Sequence, residues 1–322
     1  MKAVVYDRYG PPEMLRIEDV PMPTPSPGQV LVRVAATSIN LSDWETLLGT
    51  PAYSRIDGLR APRRRTLGSD IAGRVEALGD GVTAFKLGDD VYGDNLRLKG
   101  GFAEYAVAPE SALALKPAEL GFVEASTIPQ AGPIALQGTT GARRGSRVLI
   151  NGAGGGAGSF AIQIAKRLGA HVTGVDNAAK LAFMRSVGAD SAVDYRSQDF
   201  TRMGQRYDLI LDLVAHRSMF AYRRALARGG RYRCVGGTTR ALLRALTVGF
   251  AAGRATGRRM GVLAVKAGPA RFRALTDLII TGDVKIHIDR AFDLDDVPAA
   301  LAHVGEGKAL GKVVVTVDAS AV

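Results

Sequence analysis

The chain has 322 residues, of which 47% are hydrophobic, and a formal net charge of +11. This length can bury a substantial core and favours about two domains, while no apolar run reaches the roughly 18 residues that a membrane-spanning helix needs. The first residues meet a charge too early for a signal peptide, and the single cysteine, Cys234, excludes an internal disulfide and a zinc site of several thiolates. We therefore expect a soluble, cytoplasmic protein without a transmembrane segment.

The first 120 residues are predicted to be rich in β-structure. Apolar and polar residues alternate over 29–34, residues 71–78 are a second strand candidate, and turns rich in glycine and aspartate follow. The sequence becomes irregular over 109–117, and helical signals dominate from about Phe122. We place a domain boundary near that residue.

The stretch 147–169 carries the most specific signal. A short apolar strand, 148–150, leads into a run of glycines over 152–158 and then directly into a helix predicted over 159–168. Because glycine has no Cβ, such a turn lets the backbone approach a pyrophosphate, and the N–H groups of the helix start stabilise its charge. A second apolar strand ends in Asp176, where an acid can meet the ribose hydroxyls of an adenosine. The combination predicts a dinucleotide-binding site.

Strands and helices alternate beyond the glycine turn, which predicts a parallel sheet covered by helices on both faces. The predicted helices cover 159–168, 179–187 and 219–227, and the predicted strands cover 171–175, 191–194, 208–213, 231–235 and 261–265. Two further strands, predicted over 285–288 and 312–317, lie near the end of the chain. The tail could therefore rejoin the first domain.

A long basic block follows the glycine turn: residues 213–276 contain fourteen Arg or Lys residues and no Asp or Glu. Such a block could attract nucleic acid, anionic lipid or a phosphorylated substrate. We favour a solvated surface around a phosphate-handling site, because no aromatic residues interleave with the arginines as they do in a base-stacking surface. Within the block, residues 240–259 are predicted to form a basic amphipathic helix with leucines and Phe250 on one face. We favour a helix that packs on the nucleotide-binding domain over a cleft cover or a membrane-surface contact.

Several short motifs are spread over the chain. They are Gly28-Gln29-Val30-Leu31-Val32, Gly68-Ser69-Asp70-Ile71-Ala72-Gly73, Gly88-Asp89-Asp90-Val91, Gly101-Phe102-Ala103-Glu104-Tyr105, the Gly152-x-x-Gly155-x-x-Gly158 turn, Gly188-Ala189-Asp190 and Gly311-Lys312-Val313-Val314. Together they resemble the medium-chain dehydrogenase/reductase superfamily, in its zinc-free quinone oxidoreductase branch, over essentially the whole chain. The resemblance implies an α/β fold with a GroES-like β-barrel domain, residues 1–122 completed by 285–322. It also implies a Rossmann doubly wound parallel sheet over 123–284 and a substrate cleft where the two domains meet.

Two positions depart from the zinc alcohol dehydrogenases of the same superfamily. Where those enzymes hold a ligand cysteine this chain has Asn40, and where they have Gly-His-Glu it has Gly68-Ser69-Asp70. Amide and hydroxyl groups are poor zinc ligands compared with thiolate and imidazole. The loop that would carry a four-thiolate structural zinc has no cysteine, and the four histidines are scattered without ligand spacing. We expect no zinc and no other metal site.

The missing Lewis acid decides which chemistry we expect. An alcohol is hard to oxidise without a metal, whereas hydride addition to a quinone or to the β-carbon of an enone needs only a held carbonyl and a proton. The predicted catalytic residues, as candidates for holding that carbonyl, are Asn40, Ser42 and Tyr53. Asp43 and Trp44 either shape the wall of the site or are structural.

The resemblance also places the coenzyme. It assigns Asp176 to the adenosine ribose, Tyr195 to the vicinity of the adenine, and Gly236 and Gly237 to the strand end beside the nicotinamide. The predicted coenzyme-binding residues are Gly152, Gly155, Gly156, Ala157, Gly158, Asp176, Lys180, Tyr195, Gly236 and Gly237. An aspartate about 4 Å from a phosphate charge costs on the order of 4 kcal/mol per charge pair at an effective dielectric of 20, unless a cation such as Lys180 compensates. We therefore expect NAD(P)H, with a preference for NADH.

We expect an NAD(P)H-dependent, zinc-independent oxidoreductase that reduces quinones or α,β-unsaturated carbonyls by hydride transfer. A metal-free alcohol dehydrogenase or carbonyl reductase is a second interpretation, and a nucleotide- or nucleic-acid-binding protein with vestigial catalysis is a third. The expected partners are a small-molecule substrate and a second copy of the chain, because the last Rossmann strand pairs across a dimer in relatives. Nucleic acid is not expected, and a peripheral membrane contact stays open.

Overall fold

A computed structural model describes residues 1–318. In that range the chain forms fifteen β-strands and ten α-helices, joined by loops and short helical turns of other types. In chain order the elements are β1 (Lys2–Val5), β2 (Arg16–Asp19), β3 (Gln29–Ile39), α1 (Leu41–Leu48), β4 (Asp70–Leu78), β5 (Asp90–Asp94), β6 (Tyr105–Pro109), β7 (Leu113–Leu115), α2 (Phe122–Ser126), α3 (Ala131–Thr139), β8 (Arg147–Asn151), α4 (Gly156–Arg167), β9 (His171–Asp176), α5 (Leu181–Ser186), β10 (Ser191–Asp194), β11 (Tyr207–Asp212), α6 (Met219–Ala225), β12 (Leu226–Cys234), α7 (Thr239–Arg244), α8 (Phe250–Arg254), β13 (Arg259–Val262), α9 (Pro269–Ile280), β14 (Ile288–Asp293), α10 (Val297–Gly305) and β15 (Lys312–Thr316).

These elements divide between two compact units. Among the described residues, the first unit contains Met1–Gly132, Ala267–Gly282 and 288–318. The second unit contains Pro133–Lys266 and Asp283–His287. Each unit has a sheet and a hydrophobic core of its own.

The first unit contains a mostly antiparallel sheet in the order β14-β15-β3-β4-β5-β7, with β6 also paired to β3. Val30, Val32 and Val34 alternate along one face of β3 and lie in one buried cluster with apolar residues of β4. A two-residue period of apolar side chains is the pattern that a sheet buries on one face. The strands predicted over 29–34 and 71–78 are confirmed as parts of β3 and β4.

The tail of the chain joins this first sheet. β15 pairs with β3, which confirms the strand predicted over 312–317, and β14 pairs with β15. The strand predicted over 285–288 is wrong, since β14 begins only at Ile288. The main chain of Lys285 bonds instead with the Gln163 side chain, which donates to its carbonyl at 2.9 Å and accepts from its N–H at 2.8 Å. Those backbone groups are therefore already satisfied outside any strand ladder.

The second unit contains a six-stranded parallel sheet in the order β10-β9-β8-β11-β12-β13. Numbered along the chain, this is the 3-2-1-4-5-6 order of a doubly wound dinucleotide-binding sheet, so the predicted fold class is confirmed. Val148, Leu149 and Ile150 of β8 are fully buried, as expected for a central parallel strand covered on both faces. The strand predicted over 191–194 is found as β10.

Helix α4 follows the glycine turn directly. Phe160, Ala161 and Ile164 lie on its buried face, while Lys166 and Arg167 occupy its last turn, where cations stabilise the negative end of the helix dipole. Ser159, which the sequence suggests as the helix start, lies within its first turn. Within residues 1–318 no helix is long and apolar enough to cross a membrane.

The basic helix predicted over 240–259 is shorter and interrupted. α7 ends at Arg244, a π-helical turn covers Ala245–Gly249, and α8 ends at Arg254. The segment packs on the second unit as predicted, through its small residues and Leu242, whereas Leu243, Leu246, Val248 and Phe250 are exposed. The next strand, predicted over 261–265, starts earlier, because Arg259 already pairs with β12.

Candidate functional site

The turn between β8 and α4 requires glycine at specific places. Gly152 has a φ of +84°, a left-handed conformation that residues with a Cβ rarely adopt. A Cβ on Gly158 would overlap the carbonyl oxygens of Gly152 and Ala153, whereas a Cβ on Gly155 would find its nearest neighbour 3.7 Å away. Gly158 therefore lets the helix pack against the turn, and Gly155 leaves open space above it.

The start of α4 offers main-chain donors. The helix begins at Gly156, and no side chain caps it. The N–H groups of the first helical turn, which includes Gly156 and Ala157, have no partner within the helix, and the helix dipole adds partial positive charge there. This arrangement fits the pyrophosphate of a dinucleotide.

Asp176 lies at the end of β9, next to the turn. Its Oδ2 accepts from the Gly154 N–H at 2.9 Å, and its Oδ1 accepts from the Asn177 N–H at 2.9 Å. The Nζ of Lys180, a nearly buried side chain, lies 3.7 Å from the same Oδ1. The negative charge of Asp176 is therefore partly compensated inside the protein.

Tyr195 lies beside Asp176, at the end of the neighbouring strand β10. Its N–H donates to the Asp176 carbonyl at 3.1 Å, and its ring is exposed. The Arg196 guanidinium lies 5.7 Å from the centre of that ring. An exposed aromatic ring with a cation beside it could cover a nucleotide base.

Gly236 and Gly237 follow the carboxyl end of β12. Both have positive φ, +75° and +100°, and a Cβ on Gly237 would lie 2.8 Å from the Ala215 Cβ. Only glycine therefore allows the chain to turn so closely over the end of the sheet.

Asp212 ties the carboxyl ends of three strands together, and the sequence analysis missed it. Its buried carboxylate accepts from Asn151 Nδ2 at 2.8 Å, from the Ala215 N–H at 2.8 Å and from the Tyr232 hydroxyl at 2.9 Å. A signal existed, because an acid directly after the apolar run of β11 stands opposite Asn151 in register. Asp212 therefore holds together the strand ends that carry the predicted coenzyme-binding turns.

In the first unit, Asn40 connects β3 to α1 and uses its whole amide internally. Its Oδ1 accepts from Lys312 Nζ at 2.9 Å, and its Nδ2 donates to Asp70 Oδ2 at 2.8 Å and to Ser69 Oγ at 3.2 Å. The predicted role of Asn40 in holding a carbonyl stays a prediction. The geometry gives it a second task, which is to join Lys312 to Asp70.

Asp70 and Lys312 form a buried ion pair, with exposed fractions of 0% and 2%. Lys312 Nζ lies 3.6 Å from Asp70 Oδ2, and the Ser38 hydroxyl and the Gln130 N–H also donate to this carboxylate. Burial raises the pKa of Asp70 and lowers the pKa of Lys312, and the attraction between the two groups opposes both shifts. The opposite charges of the two side chains balance each other in this core. We use the name charge network for this pair together with Asn40, Asp43, Ser69 and Gln130.

Asp43 closes the charge network on the α1 side. Its Oδ2 accepts from the Asn40 N–H at 2.9 Å and from Ser69 Oγ at 3.3 Å, while its buried Oδ1 has no hydrogen-bond partner in the described residues. Burial raises the pKa of Asp43 to about 6. Burial and the nearby Asp70 also raise the pKa of Asp94. Asp43 and Asp94 are therefore easier to protonate than ordinary aspartates.

Gln130 is the second functional candidate that sequence reasoning missed. Its Nε2 donates to Ser69 Oγ at 3.3 Å, and its Oε1 accepts from Ser42 Oγ at 2.9 Å. The only sequence signal is one polar residue in an otherwise apolar stretch, Ile128 to Ala135. Gln130 brings Ser42, which is half-buried, to the same network as Asn40.

Tyr53 pairs with Glu45, a residue that the sequence analysis did not select. The exposed Tyr53 hydroxyl donates to Glu45 Oε2 at 3.3 Å. Burial raises the pKa of Glu45 to about 7, and the bond from Tyr53 opposes that shift. A tyrosine hydroxyl beside a carboxyl group that titrates near neutrality can pass on a proton. Trp44, by contrast, packs directly against Gly305 of α10, as expected for a structural residue.

Asn40 and Ser69, the positions that correspond to zinc ligands in the zinc alcohol dehydrogenases, carry a different chemistry in this chain. Asn40 and Ser69 belong to the charge network, and the Lys312 ammonium lies in hydrogen-bond contact with Asn40. In the described part of the chain, no three His, Cys, Asp or Glu side chains group as metal ligands. The expected absence of zinc stays a prediction.

Comparisons with known proteins agree with this geometry. Residues 26–118 match the family model of the alcohol dehydrogenase GroES-like domain, which confirms the predicted first domain type, and residues 187–315 match the model described as zinc-binding dehydrogenase. A chloroplast envelope quinone oxidoreductase homologue of Arabidopsis thaliana is 30% identical, over 98% of this chain and 98% of its own. A 2-methylene-furan-3-one reductase of Solanum lycopersicum is 30% identical, over 98% of this chain and 79% of its own. The solved structure of the quinone oxidoreductase from Coxiella burnetii is similar with a TM-score of 0.88 and 29% identity, over 99% of both chains.

Proposed function

We propose a zinc-free hydride transfer for this chain, which belongs to the medium-chain dehydrogenase/reductase superfamily, in its quinone oxidoreductase branch. It is an oxidoreductase that reduces quinones or α,β-unsaturated carbonyls with NAD(P)H. The observation that carries the zinc-free part is the contact of 2.9 Å between Lys312 Nζ and Asn40 Oδ1. A divalent ion about 4 Å from this ammonium would be repelled by about 8 kcal/mol at an effective dielectric of 20, twice the energy of a unit-charge pair.

The coenzyme would be held by main-chain groups and a few side chains. The main-chain amides of Gly156 and Ala157 would bind the pyrophosphate. Gly152, Gly155 and Gly158 would shape the turn. The remaining predicted coenzyme-binding residues would line the rest of the site. These are Asp176 and Lys180 at the ribose, Tyr195 at the adenine, and Gly236 and Gly237 at the nicotinamide end. The reduced nicotinamide supplies the hydride when bound.

The acceptor carbonyl would be held by hydroxyl donors of the first unit. The Ser42 hydroxyl can rotate from Gln130 towards a carbonyl oxygen, and the Tyr53 hydroxyl can do the same when Glu45 is protonated and donates to it. Asn40, the third predicted catalytic residue, lies in the same network as Ser42 and would complete the polar wall. Hydrogen bonds of this kind stabilise the developing enolate or hydroquinone oxygen.

A proton must follow the hydride, and Tyr53 is the proposed donor. Its hydroxyl would protonate the reduced acceptor, and Glu45 would return a proton to the Tyr53 oxygen. The pKa of Glu45, raised to about 7, keeps that carboxyl group partly protonated at neutral pH. Ordinary glutamates would be almost fully ionised there.

We also propose NADH as the preferred coenzyme. Asp176 can accept from the two ribose hydroxyls, since a carboxylate has about four lone-pair sites and the internal donors use only some of them. The same charge would repel a ribose phosphate, although Lys180 reduces that repulsion.

Three further proposals concern organisation. The functional domains would be residues 1–122 with 285–322 and residues 123–284. The chain would form a homodimer through the edge of β13, which pairs only on its β12 side within residues 1–318. The protein would work in the cytoplasm, where a single buried thiol such as Cys234 persists in reduced form.

One experiment tests the reaction and the zinc-free proposal together. Purified protein is analysed for zinc and then assayed with NADH and NADPH against 1,4-benzoquinone, a simple enone, an aldehyde and, in reverse, a primary alcohol. We expect substoichiometric zinc, no effect of a chelator, and faster reduction of the quinone or enone than oxidation of the alcohol. About one zinc per chain with activity lost to a chelator would overturn the zinc-free mechanism. Dominant alcohol oxidation, or no turnover at all, would contradict the proposed acceptor chemistry.

A further inference from the structure

The segment from α7 to α8 buries and exposes its side chains differently from an ordinary surface helix. Its buried residues are all small: Ala241, Ala245, Gly249 and Gly253. Leu242 packs against the core of the unit, but the other four large apolar side chains point outward, with exposed fractions of 58% for Leu243, 57% for Leu246, 39% for Val248 and 61% for Phe250. An amphipathic helix of a soluble domain normally buries its leucines and exposes its polar residues.

Close packing explains the inverted orientation. A Cβ on Gly253 would lie 2.9 Å from the Arg258 carbonyl oxygen, and a Cβ on Gly249 would lie 3.1 Å from the Met219 sulfur. At Gly249 and Gly253 the segment therefore lies so near its neighbours that a large side chain would not fit beneath it. The π-helical turn at Ala245–Gly249 changes the residue period at the middle of the segment and keeps the small residues on the inner side.

The exposed apolar residues are accompanied by arginines. Arg240, Arg244 and Arg254 are exposed, and no carboxylate of the described residues lies within salt-bridge distance of them. A groove of about 440 Å³ beside α8 is lined by Phe250 and by five arginines, among them Arg254 and Arg259. On the neighbouring helix α6, Phe220 is also exposed.

We propose that this surface docks on an anionic lipid membrane. We name it the α7–α8 face: Leu243, Leu246, Val248 and Phe250, with Arg240, Arg244 and Arg254. An in-plane helix of this kind inserts its apolar side chains at the boundary of headgroups and acyl chains, while its arginines bind lipid phosphates. Guanidinium groups suit that contact because they bind phosphate oxygens in pairs.

The dimer proposed above pairs the edges of β13, and the charge of the α7–α8 face argues against a second copy of the chain as the occupant of this face as well. A two-fold symmetric interface brings the same patch of both copies together. Arg240, Arg244 and Arg254 would then face the same three arginines, in a region without any acid from 213 to 276. An anionic surface removes that conflict. Nucleic acid would neutralise the arginines as well, but it offers no apolar layer for Leu243 and Leu246.

The test is binding of the full-length protein to vesicles. Flotation compares vesicles of phosphatidylcholine alone with vesicles that also contain phosphatidylglycerol, at low and high salt. We expect binding only to the anionic vesicles and a decrease with salt. Leu243→Ser combined with Phe250→Ser, and separately Arg240→Gln combined with Arg244→Gln, should each weaken binding by about tenfold or more.

The matched control is Leu87→Ser, which removes a leucine of similar exposure, 64%, in the first unit. It should bind like the unmodified protein. Sedimentation velocity follows all variants, so that a change of oligomeric state is visible. No binding to anionic vesicles, equal binding to neutral ones, or an equal loss in Leu87→Ser would overturn the proposal. Dissociation of a dimer in the face variants would show that a second copy covers the face. All of these readouts are independent of reductase activity.

Discussion

The glycine turn between β8 and α4 and the charge network are built in opposite ways. The turn uses main-chain amides and residues of one short stretch, from Gly152 to Asp176, whereas the network joins side chains from separate segments, such as Asn40, Gln130 and Lys312. Main-chain donors survive many side-chain changes but not an added Cβ in the wrong place. When a buried charged side chain loses its partner, the protein loses much of its folding stability. Damage to the turn should therefore appear first in coenzyme affinity, and damage to the network first in folding.

The largest expected effect is that of Lys312→Met, which leaves Asp70 buried without its cation. Breaking a buried ion pair by removing one partner costs about 3–5 kcal/mol, and the free energy of unfolding should fall by that amount in urea titrations. Lys308→Met, which removes an exposed lysine paired with Glu306, is the matched control and should cost less than about 1 kcal/mol. Adding Asp70→Asn to Lys312→Met removes the orphaned charge and should restore part of the stability. A single variant as stable as the control would show that the pair contributes nothing.

The next effect concerns the proton donor. Tyr53→Phe should lower turnover by about 10²-fold, the usual contribution of a general acid. In the proposed mechanism the protonated form of Glu45 resupplies the proton, so we expect turnover of the unmodified protein to fall as the pH rises through about 7. Glu45→Gln should remove this pH dependence and lower turnover, whereas Glu124→Gln, a half-buried acid elsewhere in the unit, should leave both unchanged. A rate in Glu45→Gln that still falls near pH 7 would assign the titration to another group, such as Asp43.

The same contrast explains what the sequence could predict. The strand, glycine turn, helix and Asp176 follow one another within thirty or so residues, and local backbone geometry dictates each position. The sequence alone therefore predicts a dinucleotide-binding site. Lys312 lies 272 residues from Asn40, and its role arises only when β15 pairs with β3. Gln130 carries no motif at all. The sequence predicts that the α7–α8 segment is amphipathic, but which of its residues are buried depends on how closely the neighbouring elements of the same unit approach it.

A third prediction separates coenzyme affinity from protein stability at two glycines of the turn. Gly158→Ala places a Cβ against two carbonyl oxygens, so it should lower both the stability, by about 1–3 kcal/mol, and the coenzyme affinity. Gly155→Ala meets no close neighbour and should keep its stability, but it should weaken coenzyme binding by about tenfold if a pyrophosphate approaches there. Gly261→Ala, a glycine of the same sheet with open space around it, is the control. Calorimetric titration with each coenzyme and thermal unfolding measure the two quantities. Unchanged affinity in Gly155→Ala would place the pyrophosphate elsewhere.

The smallest effect is expected at the ribose, where Asp176 and Lys180 act in opposite directions. Asp176→Ser removes the negative charge and should shift the ratio of the two dissociation constants towards NADPH by up to about tenfold, or about 1.4 kcal/mol. The shift stays well below the full cost of a bare charge pair, because Lys180 already lies 3.7 Å from the carboxylate. Lys180→Met should shift the ratio the other way, towards NADH, since it leaves the carboxylate uncompensated. Titration of both coenzymes into the three proteins measures these ratios. If the unmodified protein binds NADPH about tenfold more tightly than NADH, the cations at this strand end outweigh Asp176, and the preference for NADH is wrong.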